Sequence, residues 1–218
     1  MTFSIAALCP KTGAFGIGIT TSSIAVGARC PFVLAGVGAV LSQHSTDPRL
    51  GQQGIELLKA GRPAKDVLEE IKRKAGKLTW RQLAVVDKNG NVAHYTGEDC
   101  GPARGAAETK GAVAVGNILK NEGVTQAMID GYLKKPDAPF AERLLDALDG
   151  GLAAGGEPKP LRSAALLTTE TYPFAETNLR VDWHDEPLAE LRRLWDAYKP
   201  QKANYMMRVD NPDKANQG

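Results

Sequence analysis

Two apolar runs near the start of the chain, residues 2–8 and 14–21, are separated by CPKTG. A Pro/Gly turn between two β-rich runs predicts a hairpin, so the chain begins with antiparallel sheet. Gly16 and Gly18 stand two apart in the second run. They share one strand face, and their missing side chains let another backbone or a helix come close. FVLAGVGAVLSQ has the same character and predicts a strand buried on both sides. From Asp47 the apolar period becomes helical. Asp47 as N-cap, Pro48 at the first helical position, the stripe Leu50, Ile55, Leu57 and Leu58, and Gly61 as the stop predict one helix. Val67, Leu68 and Ile71 beyond Pro63 predict a second.

Alternation returns in RQLAVVDKNGNVAHYTG, where Asn89-Gly90 suits the positive φ angles of a tight hairpin turn. A buried strand over 112–119, helices over 124–133 and 138–152, strands in SAALLTTE and LRVDWH, and a helix over 187–198 complete the pattern. Hairpins interrupted by helix pairs predict an α+β fold, a four-layer αββα sandwich of two mainly antiparallel sheets with helices outside. With 218 residues, one domain is expected over 1–200, followed by a polar, loosely held tail over 201–218.

Charge narrows the partners. Lys+Arg 27 against Asp+Glu 25 gives a net +2, with no long run of either sign. That balance supplies no footprint for nucleic acid or a membrane surface, and a small molecule is the expected partner. No apolar stretch approaches membrane-spanning length, and the first residues lack the basic and apolar segments of a signal peptide, so the cytoplasm is the expected compartment. Cys9, Cys30 and Cys100 are too widely spaced for a disulfide framework or a zinc site and read as reduced, buried thiols. His44, His94 and His184 fall in three separate elements and make no metal-ligand spacing. GAFGIG and GVGAV lack the strand-to-helix context of a nucleotide fingerprint, and no cofactor is expected.

Chemistry enters at Thr2. A small residue at position 2 allows Met1 to be removed, which leaves a hydroxyl and an α-amine on one terminal residue. Such an amine titrates near about 7.7 to 8 and can take the hydroxyl proton itself. A threonine that simply begins a strand is the other reading.

The segments TFSIAALCPKTGAFGIGITTSSIAVGARCP, GVGAVLSQHSTDPRLGQQGIELLKAG, RQLAVVDKNGNVAHYTGEDC, VGNIL, LAAGG, SAALL and LRVDWHDEPLAELRRL occur in this order. Together they resemble the bacterial family catalogued as domain of unknown function 1028, within the Ntn-hydrolase-like (N-terminal nucleophile) superfamily. The resemblance implies an αββα sandwich whose first mature residue attacks a carbonyl. The chain departs from the family pattern in GPARG, which lacks a tryptophan, and over 157–162, which lacks Arg-Gly and ends in Arg162 in place of glutamine.

On this reading Thr2, Asn117, Gln43 and Ser22 are the expected catalytic residues. Asn117 ends a buried strand and could donate to a developing oxyanion, a turn-stabilising asparagine being the alternative. Gln43, at the end of GVGAVLSQ, has the same two readings. Ser22 and Ser23 close the second strand, either beside the nucleophile or as turn-formers. His44, Ser23, Arg162 and Ser163 are the expected substrate contacts, His44 as a proton relay and Arg162 as a bidentate partner for a carboxylate; a surface arginine is the plainer reading. Asp182, His184 and Ser163 lack the elbow motif of a serine triad. The expected function is a cofactor-independent amidohydrolase cleaving a small amide, carbamoyl or imide-type bond, working as a homodimer or larger homo-oligomer. The alternative is a non-catalytic binding or assembly module on the same fold.

Overall fold

The computed structural model describes residues 1–217. The strands are β1 (Thr2–Leu8), β2 (Phe15–Thr21), β3 (Pro31–Leu34), β4 (Gly38–His44), β5 (Arg81–Asp87), β6 (Val92–Thr96), β7 (Gly105–Thr109), β8 (Ala112–Asn117), β9 (Ser163–Thr169) and β10 (Thr177–Val181). The helices are α1 (Pro48–Lys59), α2 (Ala64–Lys74), α3 (Val124–Leu133), α4 (Phe140–Ala153), α5 (Pro187–Tyr198) and α6 (Lys202–Asp210). One sheet has six strands in the order β10-β9-β2-β1-β8-β7 and the other four in the order β3-β4-β5-β6. Every neighbouring pair is antiparallel.

Strand alternation sorts the side chains into layers. Phe3, Ile5 and Ala7 of β1 pack with Met128 of α3, Leu144 and Leu148 of α4, and Leu191 of α5. Ala6 points the other way, into a layer with Ile17, Ile19, Leu41, Ala84, Val86, Val113 and Val115 that joins the two sheets. Val40, Leu83 and Val85, on the far side of the smaller sheet, meet Leu50 and Leu58 of α1 and Val67 and Ile71 of α2. The result is the αββα sandwich. The glycines of β2 work as the sequence implied: a Cβ at Gly16 would stand 2.6 Å from Leu144 Cδ1, and one at Gly18 3.1 Å from the Leu144 carbonyl. α4 therefore lies directly on β2.

Three segments depart from expectation. FVLAGVGAVLSQ is not one strand but the hairpin β3–β4, because Gly36 and Gly38 both take positive φ and fold the run back on itself. β7 has weak strand-forming residues and exists through its pairing with β8. The tail has regular structure within 201–217, Gly218 lying outside the described residues. It forms α6, fixed by Tyr205 stacked on Tyr198 at 5.7 Å between ring centroids and by Lys202 paired with Glu176 at 3.3 Å.

The caps hold as predicted. Asp47 accepts from the Arg49 N–H at 3.1 Å. In the Asn-Gly hairpin, Asp87 accepts from the Asn89 N–H at 2.9 Å and the Asn91 N–H at 3.0 Å, while its other oxygen accepts from the Ala64 N–H at the start of α2 at 3.0 Å. Burial opposes ionisation of Asp87, but the hydrogen bonds from Ala64, Asn91 and Asn89 outweigh it and hold the carboxyl below its usual range. A depressed folded-state pKa means stability that is present above the unfolded value near 3.9 and lost as pH falls through the folded one. Asp87→Asn is therefore expected to cost about 1 to 3 kcal/mol at pH 7, with the gap to the native chain narrowing below about pH 4. Urea unfolding of both proteins at pH 7 and pH 3 measures it; an equal gap at the two would contradict the assignment.

Candidate functional site

The polar residues of the sandwich interior gather at one end. Pairing registers place Ser163 opposite Thr21 and Thr2 opposite Asn117. Phe3 pairs with Thr20, so Thr21 continues the row beside Thr2. By the same alternation that sends Ala6 toward the smaller sheet, Thr2 and Ser4 face it too. Opposite them stand Gln43, Gln82 and Thr96, aligned across β4, β5 and β6.

These side chains form a buried network between the sheets. Gln82 Nε2 donates to the Gly116 carbonyl at 2.8 Å, to Thr96 Oγ1 at 2.9 Å and to the Gly105 carbonyl at 3.3 Å. Those acceptors fix the orientation of its amide, since reversal would set oxygen against oxygen. Gln82 Oε1 then accepts from Gln43 Nε2 at 2.7 Å and from Asn117 Nδ2 at 2.9 Å. Gln43 Oε1 in turn accepts from Ser4 Oγ at 2.7 Å. β4 and β8 both end in a left-handed non-glycine residue directly after their amide, His44 at φ +70° and Ile118 at φ +48°. Such backbone costs roughly 1 to 3 kcal/mol and persists where surrounding structure enforces it.

Thr2 is 6% exposed. Its Oγ1 lies 3.3 Å from Thr21 Oγ1, and both hydroxyls donate to the Met1 carbonyl. The Met1 sulfur lies 3.9 Å from Ser22 Oγ. The Ser22 backbone N–H donates to Glu157 Oε2 at 3.0 Å, whereas Glu157 Oε1 is buried without a partner. Burial pushes the Glu157 carboxyl up to about 7, against the pull of the positively charged amino terminus and the Ser22 hydrogen bonds. The amino terminus itself is lowered by burial, with the Glu157 charge as the strongest opposing influence.

Of the expected catalytic set, Thr2, Gln43, Asn117 and Ser22 meet here. Asn117 gives one of its two amide N–H groups to Gln82 Oε1, and its oxygen, Oδ1, is buried without a partner. The donor beside Thr2 is Thr21. The expected substrate contacts are more dispersed. His44 follows Gln43 but stacks on Trp80 at 5.8 Å, with Nδ1 3.0 Å from the Trp80 carbonyl. Ser23 Oγ accepts from Arg29 at 2.7 Å. Arg162 pairs with Asp185 and lies over Trp183 at 5.5 Å. Ser163 Oγ donates to the Ser23 carbonyl at 2.7 Å and accepts from the Val26 N–H at 3.1 Å. His184 Nδ1 accepts from the Glu186 N–H at 3.0 Å, so Ser163 and His184 are each held by other groups.

Sequence reasoning missed Gln82, Thr21 and Glu157. Gln82 carried a signal, being polar on the same strand face as Ala84 and Val86. Glu157 carried none, because a glutamate in GGEPKP reads as a solvated loop residue.

Comparison with known proteins places the chain. A search of curated proteins finds no match. Protein SPO2555 from Silicibacter pomeroyi, a DUF1028 protein, superposes with a TM-score of 0.84 at 30% identity, over 91% of this chain and 89% of its own. Anbu (ancestral beta-subunit) from Yersinia bercovieri aligns over 91% of this chain and 95% of its own, at 12% identity and a TM-score of 0.38. Anbu from Hyphomicrobium sp. strain MC1 gives 0.42 at 12% identity, again over 91% and 95%. The family described as "Family of unknown function (DUF1028)" matches residues 2–191, and the chain belongs to it.

Proposed function

We propose that the chain is a cofactor-independent amidohydrolase whose nucleophile is Thr2, exposed by removal of Met1. The supporting observation is the placement of Thr2 at the start of a central strand, facing the polar end of the inter-sheet layer, with Thr21 Oγ1 3.3 Å from its oxygen. Once Met1 is gone, the Thr2 α-amine takes the hydroxyl proton as Oγ attacks the substrate carbonyl carbon. Thr21 is positioned to donate to the oxygen on which charge develops. Collapse of the tetrahedral intermediate breaks the C–N bond, and the α-ammonium returns the proton to the leaving amine. Water then attacks the Thr2 ester, again with the α-amine as base, releasing the carboxylic acid and regenerating the hydroxyl. The Gln43–Gln82–Asn117 network acts in positioning, by fixing β4, β5 and β8 around the nucleophile. A small-molecule substrate, a cytoplasmic setting and a closed homo-oligomer belong to this reading.

The close fit of Met1 over Thr2 favours a second reading, a binding module in which the methionine stays and chemistry is absent. A β-lactone probe separates the two, because ring opening by a hydroxyl nucleophile adds the whole probe mass to the chain. One adduct on Met1-free protein, mapped to Thr2 and missing from Thr2→Ala, is expected. Met1-free protein that stays unlabelled would favour the binding module.

A further inference from the structure

We propose that the acyl half of the substrate is an α-amino acid with a free amino group, so that Glu157 pairs with the α-ammonium and the enzyme cleaves amino-acid amides or the first residue of short peptides. This rests on the Thr2 reading. Met1 is the occupant that argues for it. It is an aminoacyl group joined to Thr2 through nitrogen; an acyl-enzyme would carry such a group on Thr2 Oγ, displaced only by the reach of the threonine side chain. The carbonyl and the side chain of Met1 both meet complementary groups. Its carbonyl accepts from the Thr21 hydroxyl, and its sulfur lies 3.9 Å from Ser22 Oγ. Its amine is partly buried, and the Glu157 charge is the strongest attraction acting on it from a distance, opposed by the more weakly acting Lys159.

Glu157 is itself 6% exposed, with Oε2 held by the Ser22 N–H and Oε1 unpartnered. A buried carboxyl oxygen without a donor is costly unless something supplies one. Once Met1 leaves, the space it filled borders Thr21 and Ser22, and the Ser22 N–H is what holds Glu157. A substrate residue entering with its carbonyl at Thr21 brings its own ammonium to Glu157. An acylated amine has no charge to offer Glu157, so a free terminal amine is preferred. The reaction needs only water, giving a free amino acid and an amine or ammonia.

The test uses protein shown by intact mass to lack Met1. Calorimetry on the Met1-free Thr2→Ala chain, which cannot turn over, compares L-methionine amide with N-acetyl-L-methionine amide. Affinity for the free amine is expected to be higher by roughly 10- to 100-fold, the span of a hydrogen bond to a charged group. Turnover of L-methionine p-nitroanilide and its N-acetyl derivative by the native Met1-free chain should show the same preference. In Glu157→Gln the ratio should fall toward about 1, the loss falling on the free-amine substrate. Equal affinities, or a preference for the acetylated ligand, would overturn the proposal without the Glu157 variant being needed. A Glu157→Gln enzyme that slows on both anilides alike would also overturn it, by assigning Glu157 to the amine of Thr2 itself. Tight free-amine binding combined with a Thr2 that never becomes acylated would leave the recognition site standing and defeat the nucleophile instead.

Discussion

Thr2→Ala, freed of Met1, is expected to lose turnover by roughly 10³-fold or more while folding normally, the scale seen when a hydroxyl nucleophile is removed. The fold should tolerate the change because the substitution removes one hydroxyl and one methyl from a strand end. The hydroxyl's protein neighbour is Thr21, 3.3 Å away, whose own hydroxyl remains. Thr2→Ser keeps both the nucleophile and its amine and should retain part of the rate. A chain carrying an uncleavable N-terminal extension should be as slow as the alanine form, since the extension turns the basic amine into a non-basic amide. Intact mass reports whether Met1 is gone, and steady-state rates on L-methionine p-nitroanilide report the chemistry. If the extended and alanine forms match the native rate, Thr2 is not the nucleophile. Ser163 is then a poor substitute, because its hydroxyl already serves the Ser23 carbonyl and the Val26 N–H. The binding module becomes the better reading only where the native Met1-free chain shows no turnover either.

Local chemistry made much of the fold legible. Asp47 and Pro48 mark the start of α1 and Asn89-Gly90 the β5–β6 turn because capping and positive φ depend on few neighbours. Gly16 and Gly18 announced the close approach of a helix, though only the tertiary structure identifies it as α4. What escaped lacked a strong signal in its own residues. β7 has little strand propensity of its own and is held by β8. α6 lies in a polar tail and is secured by ring stacking on Tyr198 and an ion pair with Glu176. At the site, Thr2 was legible from its position and Gln43 and Asn117 from being amides that end apolar strands. Glu157 comes to Ser22 from 135 residues away. Nothing in its immediate sequence marks that approach.

The network at the centre of this site makes the largest stability prediction. Gln82→Leu deletes the donor that serves the Gly116 carbonyl at 2.8 Å and Thr96 at 2.9 Å, and the acceptor that serves Gln43 at 2.7 Å and Asn117 at 2.9 Å. All of these partners except Thr96 meet Gln82 in buried contacts. Each orphaned buried group costs about 1 to 3 kcal/mol, and neighbours sharing one partner do not add fully. Leucine returns some apolar burial, so the net loss is expected near 3 to 5 kcal/mol. Ser4→Ala, at the end of the chain of bonds, removes only the donor to Gln43 Oε1 and should cost about 1 to 2 kcal/mol. Combining the two should cost less than their sum, since Gln43 has already lost its fixed orientation once Gln82 is gone. Urea denaturation of the two single variants and the double variant measures this coupling. A Gln82→Leu protein within about 1 kcal/mol of the native chain would mean that the amides are satisfied by other partners. The orientation assigned to Asn117, with its oxygen left free beside Thr2, would fall with it.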